Sequence, residues 1–120
     1  MQIHTIFVAL ADLADEGLVS FYRALFAVEP TLSIPQVYTE FQLPGLRLGI
    51  FQPKANHRTE FNGSAGAMSL CVEVEDLALA IEHLTQMGCP SGEIMTASHG
   101  REVYAYDPAG NRLILHERAR

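Results

Sequence analysis

The chain has 120 residues, with 14 acidic and 8 basic side chains that give a net charge of −6. It is 48% hydrophobic and 18% charged, so a single domain of this length can bury an apolar core. The negative charge, without a local cluster of lysines and arginines, argues against nucleic acids and anionic membranes as partners. Because the sequence has neither a bilayer-spanning apolar run nor a signal-peptide pattern, we expect a cytoplasmic protein.

The first half of the sequence predicts a strand, a helix and a hairpin. These assignments depend on an apolar stretch of β-forming residues, on apolar residues at helical spacing, and on two alternating stretches. The predicted ranges are a strand over 3–10, a helix over 15–27, strands over 37–43 and 46–51, and a polar linker over 53–66. Asp12 or Asp15 is the expected helix cap, and Pro44-Gly45 is the expected centre of a type II turn.

The second half repeats this order of elements. A strand over 67–74 leads to Asp76, a predicted N-cap for a helix that ends at Gly88. Asp76 follows Asp12 by 64 residues, and the turn glycine Gly110 follows Gly45 by 65. This recurrence predicts a duplication of a β-α-β-β-β unit, with one module over about 1–52 and the other over about 67–120.

The chain closes with a tightly specified hairpin. Asp107, Pro108 and Gly110 occupy positions i, i+1 and i+3 of a predicted type I turn. In the strand that follows, alternation places Leu113 and Leu115 on one face. The opposite face then carries Arg112, Ile114 and His116.

The motif Tyr-x-Asp-Pro-x-Gly-Asn before an apolar strand resembles the closing hairpin of the vicinal oxygen chelate superfamily. This superfamily includes glyoxalase I, the bleomycin-resistance proteins and the extradiol dioxygenases. Residues 21–26 resemble its aromatic helix, and residues 72–77 resemble its second strand-to-helix junction. The resemblance implies an α+β fold with two tandem β-α-β-β-β modules, whose mixed sheets form a U-shaped cup within one domain over 1–120. Between Asp12 and Phe21 the chain is about two residues longer than the family pattern.

The resemblance also implies four metal-ligand positions, which fall on Thr5, Gly49, Ser69 and Ile114. A neutral hydroxyl is a poor ligand for Zn²⁺, Ni²⁺ or Fe²⁺, and glycine and isoleucine side chains offer no ligand atom. We therefore predict no metal and no other cofactor. A one-residue slip leaves an alternative open, in which the metal ligands are His4 and partners among Glu40, His99 and His116.

Strand alternation separates the core side chains from those that would line the cup. The predicted core set is Ile6, Val8, Leu10, Leu48, Ile50, Leu70, Val72, Val74, Leu113 and Leu115. From the opposite faces, which also carry Thr5, Gly49 and Glu73, we assign ligand binding to Phe7, Arg47, Phe51, Ser69, Cys71, Arg112, Ile114 and His116. Arg47 and Arg112 occupy comparable places and could bind an anion, although solvated arginines are the simpler interpretation.

Three function classes remain open. We prefer a metal-free binder of a small organic molecule, because sequestration requires a pocket and no catalytic group. The second is an enzyme of the glyoxalase, dioxygenase or isomerase kind, a lyase or dioxygenase that uses a displaced metal or a base such as Glu73 or His116. The third is a structural or interaction module with a filled cup. We assign no catalytic residue, and we expect a homodimer because sheet edges need cover.

Overall fold

A computed structural model describes residues 1–13, 17–63 and 66–120. The chain divides into two compact units, Met1–Gly63 and Ser64–Arg120. Within the described residues, each unit contains a four-stranded mixed sheet and one α-helix, so the fold is α+β and its element order fits two tandem modules. No helix in these ranges is long and apolar enough to cross a membrane.

The first unit forms a sheet in the order β1-β4-β3-β2. Its elements are β1 (Val8–Ala11), α1 (Leu18–Phe26), β2 (Leu32–Ile34), β3 (Tyr38–Leu43), β4 (Leu46–Phe51) and a 3-10 helix (Ala55–Phe61). β1 pairs with β4 in parallel, and the other neighbours are antiparallel. A parallel pair requires a crossover connection, which α1 and the two intervening strands provide.

The second unit has the same topology, with the strand order β5-β8-β7-β6. Its elements are β5 (Ser69–Glu73), α2 (Leu77–Gln86), β6 (Met95–Ala97), β7 (Gly100–Tyr106) and β8 (Arg112–Arg118). β5 pairs with β8 in parallel, and β7 pairs antiparallel with both of its neighbours. In each unit the first strand therefore lies beside the last.

The start of the first unit differs from the prediction. β1 begins at Val8 instead of residue 3, and Ile3 and Ile6 are 61% and 80% exposed. Ile6 therefore does not belong to the core set. The N-cap of α1 is Gly17 with φ of 82°, a left-handed conformation that favours glycine, instead of Asp12. The other candidate cap, Asp15, lies outside the described residues.

The short strands at the sheet edges were not predicted from the sequence. β2 and β6 have three residues each, and all of them are exposed, so neither strand shows the alternation of a half-buried strand. The predicted linker over 53–66 contains the 3-10 helix, which buries no residue and likewise has no apolar periodicity. These elements form because a neighbouring strand pairs with them or because a local turn closes. Single-residue propensities carry no signal for either cause.

The turn and helix-capping residues of the second unit were predicted correctly. Asp107 accepts hydrogen bonds through its side chain from the backbone N–H groups of Ala109 and Asn111, each at 2.9 Å. The N–H of Gly110 donates to the Asp107 carbonyl at 2.9 Å and closes the turn. Asp76 caps α2 by accepting from the Leu79 N–H, and Gly88 follows the helix with φ of 77°.

The core face of the second unit follows the predicted alternation. Leu113 and Leu115 are 0% and 3% exposed, whereas Ile114 between them is half-buried. Helix α2 contributes buried Leu77 and Leu84. The Leu77 N–H donates to the Glu117 carboxylate at 2.8 Å, which links the start of α2 to β8. This hydrogen bond, together with Arg101, lowers the pKa of Glu117.

The two faces of β8 give a direct test of this register. Leu113→Glu places a carboxylate in the core, and we expect it to lower the free energy of unfolding by several kcal/mol, about 3 or more. Ile114→Glu places the carboxylate on the opposite face of the sheet, away from the Leu113 and Leu115 side chains, which we call the open face. There we expect a loss of about 1 kcal/mol. Urea denaturation followed by circular dichroism measures both, and greater damage from Ile114→Glu would contradict the assigned faces.

Candidate functional site

On the open face of the first sheet, an arginine stacks on an aromatic ring. The guanidinium carbon of Arg47 lies 4.3 Å from the centroid of the Phe7 ring. Farther along β4, the ring of Phe51 lies edge-on to Phe61 of the 3-10 helix, with centroids 5.2 Å apart. Phe7 and Phe61 are about 40% and 41% exposed. The face therefore offers aromatic surface beside a cation.

A second group on this face surrounds Glu40. The Tyr38 hydroxyl donates to the Glu40 carboxylate at 2.7 Å, and Arg47 Nε lies 3.5 Å from the same oxygen. Burial raises the pKa of Tyr38, and the hydrogen bond and charge of Glu40 raise it further, against the opposing effect of Arg47. Arg47 Nε is buried and makes no hydrogen bond with any described residue.

The tyrosine fills the space beside Gly49. A Cβ atom built on Gly49 would lie 2.6 Å from the Tyr38 hydroxyl oxygen. Gly49 is the position at which the family resemblance implies a metal ligand from the fourth strand. A neighbouring side chain thus occupies the space where the side chain of that ligand would begin.

On the open face of the second sheet, the parallel register pairs Ser69 with Arg112 and Cys71 with Ile114. The Arg112 guanidinium donates to the Ser69 hydroxyl at 3.0 Å and to the Gly66 carbonyl at 2.9 Å. The pKa of the Cys71 thiol is raised by partial burial, and nearby carboxylates raise it further. The pairing therefore places a guanidinium directly on a hydroxyl that the family resemblance assigns to metal coordination.

The same register brings Glu73 beside His116. His116 Nδ1 lies 2.9 Å from both carboxylate oxygens of Glu73, and His116 Nε2 lies 2.9 Å from His99 Nδ1. The His116 side chain is 12% exposed. His99 lies in the turn between β6 and β7, and its contact with His116 was not predicted. Glu73 follows Cys71 by two residues, and His116 follows Ile114 by two. Parallel strands that pair Cys71 with Ile114 therefore also pair Glu73 with His116.

The metal-ligand position that the family resemblance implies in the first strand was assigned to the wrong residue. β1 pairs Val8 with Leu48, so continuing the register places Phe7 beside Arg47, as Ser69 lies beside Arg112. The counterpart of Ser69 is therefore Phe7 and not Thr5. The extra residues between β1 and α1 account for the error, because counting back from Asp12 assumed equal spacing in both modules.

The residues at the implied metal positions do not fit a divalent ion. Phe7, Gly49 and Ile114 have no donor atom, and the Ser69 hydroxyl is bound to a cationic guanidinium. In the described ranges, no group of three or more histidine, cysteine, aspartate or glutamate residues is arranged to hold a metal ion. In the slip alternative, His4 lies in the exposed segment before β1.

Surface depressions among the described residues include predicted site residues. One of about 590 Å³ lies at the ends of β5 and β8 and is lined by Glu73, Val74, Glu75, His116, Glu117, Arg118, Ala119 and Arg120. Another of about 110 Å³ in the first unit includes Tyr38 and Phe51. Glu73 and His116 therefore border a volume large enough for a small organic molecule.

Comparison with known proteins agrees with the sequence motifs. A model of the Glyoxalase/Bleomycin resistance protein/Dioxygenase superfamily matches residues 3–115. A glyoxalase/bleomycin resistance protein from Catenulispora acidiphila DSM 44928 is 24% identical with a TM-score of 0.70, covering 95% of this chain and 97% of its own. No curated protein matches.

Two further structures are similar to this chain in fold. A lactoylglutathione lyase from Agrobacterium tumefaciens is 23% identical with a TM-score of 0.73, over 97% of this chain and 95% of its own. The fosfomycin resistance protein FosX from Listeria monocytogenes is 15% identical with a TM-score of 0.77, over 99% and 96%. Identities this low establish a shared fold and no shared substrate.

The contact between Tyr38 and Gly49 predicts a measurable coupling. Gly49→Ala forces the tyrosine to move, so we expect it to lower the free energy of unfolding by about 1–2 kcal/mol. In a Tyr38→Ala background, the same change should cost almost nothing. Gly63→Ala is the control, because nothing lies within 4 Å of its added Cβ. Additive effects of Gly49→Ala and Tyr38→Ala in denaturant melts would contradict the contact.

Proposed function

We propose that this chain, which belongs to the Glyoxalase/Bleomycin resistance protein/Dioxygenase superfamily, binds a small organic molecule without a metal ion. The observation that carries the proposal is that, in each unit, an arginine lies beside the implied metal positions. Arg47 stacks on Phe7, and Arg112 donates to Ser69. A divalent ion at either place would meet a positive charge and few ligand atoms.

The arginines also indicate which ligand chemistry fits. A guanidinium has five N–H donors in a planar fork, which suits carboxylates and other planar anions. The partners of Arg112 among the described residues, the Ser69 hydroxyl and the Gly66 carbonyl, are neutral. Its charge is therefore uncompensated at short range, and a ligand anion would compensate it.

Aromatic side chains of the first unit offer apolar surface for the same kind of ligand. Phe7 and Phe61 each expose about two fifths of their surface, and Phe61 packs against Phe51. Small-molecule sites commonly combine such apolar walls with a few polar groups. With the adjacent Arg47 guanidinium, 4.3 Å from the Phe7 ring centroid, this surface suits a compact aromatic or aliphatic molecule with one carboxylate.

An enzyme is the second candidate, and a specific observation favours it. Glu73 orients His116 at the rim of the 590 Å³ depression, as a carboxylate orients a histidine base in many enzymes. The named relatives include both a lyase and a resistance protein. Their names therefore do not choose between the two candidates.

A thermal-shift screen with small carboxylates and their neutral amide analogues tests the binding proposal. We expect carboxylates to raise the melting temperature and amides to have little effect. For a carboxylate that binds, Arg112→Gln should raise the dissociation constant about tenfold, since a charged hydrogen bond is lost. Arg23→Gln, which changes an exposed arginine on α1 paired with Glu29, should leave binding unchanged. Equal binding of amides, or unchanged affinity in Arg112→Gln, would contradict the proposal.

We also propose that the chain forms a homodimer in the cytoplasm. The edge strands β2 and β6 leave Leu32, Ile34 and Met95 exposed, which favours burial in an interface. Both cysteines, Cys71 and Cys89, are free thiols, which suits a reducing compartment.

Light scattering at micromolar concentration tests the dimer. The mass should be about twice the 13.2 kDa of one chain. Substituting Leu32 and Ile34 of β2 by lysine should shift the mass toward that of the monomer, because edge charges disfavour strand association. A monomeric mass for the unmodified protein would refute the proposal.

A further inference from the structure

Three titratable side chains of the second unit are connected in a line. The Glu73 carboxylate contacts His116 Nδ1, and His116 Nε2 contacts His99 Nδ1, all at 2.9 Å. The three residues come from different segments, namely β5, β8 and the turn between β6 and β7. The line begins at a carboxylate and ends at His99, which is exposed.

The hydrogen bonds determine where the protons lie. An ionised carboxylate only accepts, so His116 Nδ1 must carry the proton it donates to Glu73. In a neutral His116 ring, Nε2 is then an acceptor, and His99 must donate to it from Nδ1. His99 Nε2 therefore keeps a lone pair, and the described residues provide no hydrogen-bond partner for it.

Gly100 makes the contact sterically possible. It is buried and has φ of 142°, a conformation that favours glycine, and an added Cβ would clash with the Glu117 carbonyl oxygen and lie 2.9 Å from His116 Nε2. The glycine directly follows His99, so the backbone can pass close to His116 while the His99 ring reaches its Nε2.

We propose that Glu73, His116 and His99 form a proton relay whose outer nitrogen, His99 Nε2, is a general base toward a small uncharged or cationic molecule. This goes beyond ligand binding, which requires no proton transfer. His99 is the proposed catalytic residue, and His116 and Glu73 are positioning residues.

The relay conserves protons and electrons. His99 Nε2 takes a proton from an O–H, S–H or activated C–H bond, and the bonding electron pair stays on the substrate. The Nδ1 proton of His99 then passes to His116 Nε2. His116 becomes the cation, and the adjacent Glu73 carboxylate stabilises it. Returning the proton to the product restores the original state, so neither a metal nor an oxidant is needed.

The surrounding charges determine the class of substrate. Glu73 on β5 and Glu102 on β7 are the cross-strand neighbours of His116. The nearby carboxylate of Glu117 is paired with Arg101 at 3.1 Å. Neither the Glu73 nor the Glu102 carboxylate is paired with a lysine or arginine in the described ranges, so both repel an approaching anion, and a neutral or cationic molecule fits the relay.

Nitrogen NMR of the histidine rings tests the proton positions. In long-range ¹H–¹⁵N spectra at mildly alkaline pH, His99 and His116 should both be protonated at Nδ1. His57, an exposed residue of the 3-10 helix, serves as the reference for an unconstrained ring. An Nε2–H tautomer at either His99 or His116 would overturn the relay.

Acylation by diethyl pyrocarbonate tests the reactivity of the outer nitrogen. This uncharged reagent forms an N–C bond with a histidine lone pair and loses ethyl carbonate. Peptide mass spectrometry should show His99 reacting about tenfold faster than His57, because the relay accepts the displaced proton. Glu73→Gln keeps a hydrogen-bond acceptor but removes the charge, so the His99 rate should fall toward that of His57. Equal His99 rates in both proteins would contradict the proposal.

Turnover of 4-nitrophenyl acetate, an uncharged ester, tests catalysis itself. Water attacks the acyl carbon as His99 Nε2 takes its proton, and the C–O bond to 4-nitrophenolate breaks. His99→Gln should lower the rate about 100-fold, the usual contribution of a general base, and His57→Gln should not change it. Equal rates for the two variants would show that His99 is not a general base.

Discussion

The parallel pairing between the first and last strand of each unit determines which side chains meet on the open faces. In the second unit, β5 and β8 pair Ser69 with Arg112 and Glu73 with His116. In the first, β1 and β4 place Phe7 beside Arg47 by the same register. A slip of one residue would move every one of these side chains to the opposite face. Both the proposed binding site and the proposed relay therefore depend on this register.

Local sequence predicted the parts of the fold that local physics determines. The turn at Asp107 and the helix cap at Asp76 depend on side chains that bond the adjacent backbone, so short motifs reveal them. The core positions Leu113 and Leu115 follow from alternation. The start of β1 could not be predicted, because it depends on pairing with β4, a strand far away in the sequence. The edge strands β2 and β6 have no buried face that would leave a pattern.

The open faces were partly predictable for the same reason. Alternation assigned Arg47, Arg112 and His116 to the open faces, where the pairing of the strands also places them. The position of Tyr38 over Gly49 depends on the neighbouring strand β3, and the contact of His99 with His116 depends on the turn before β7. Such contacts join residues far apart in sequence, and no single segment encodes them. They also explain why metal positions counted along the sequence gave an incomplete description of the site.

We propose that guanidinium groups take the place of a divalent ion on the open sheet faces. Native mass spectrometry of protein expressed and purified without chelators tests this most directly, because it weighs the chain together with any tightly bound ion. We expect a mass that corresponds to whole polypeptide chains with no divalent metal. A mass increased by one zinc, nickel, iron or manganese ion per chain would contradict this proposal.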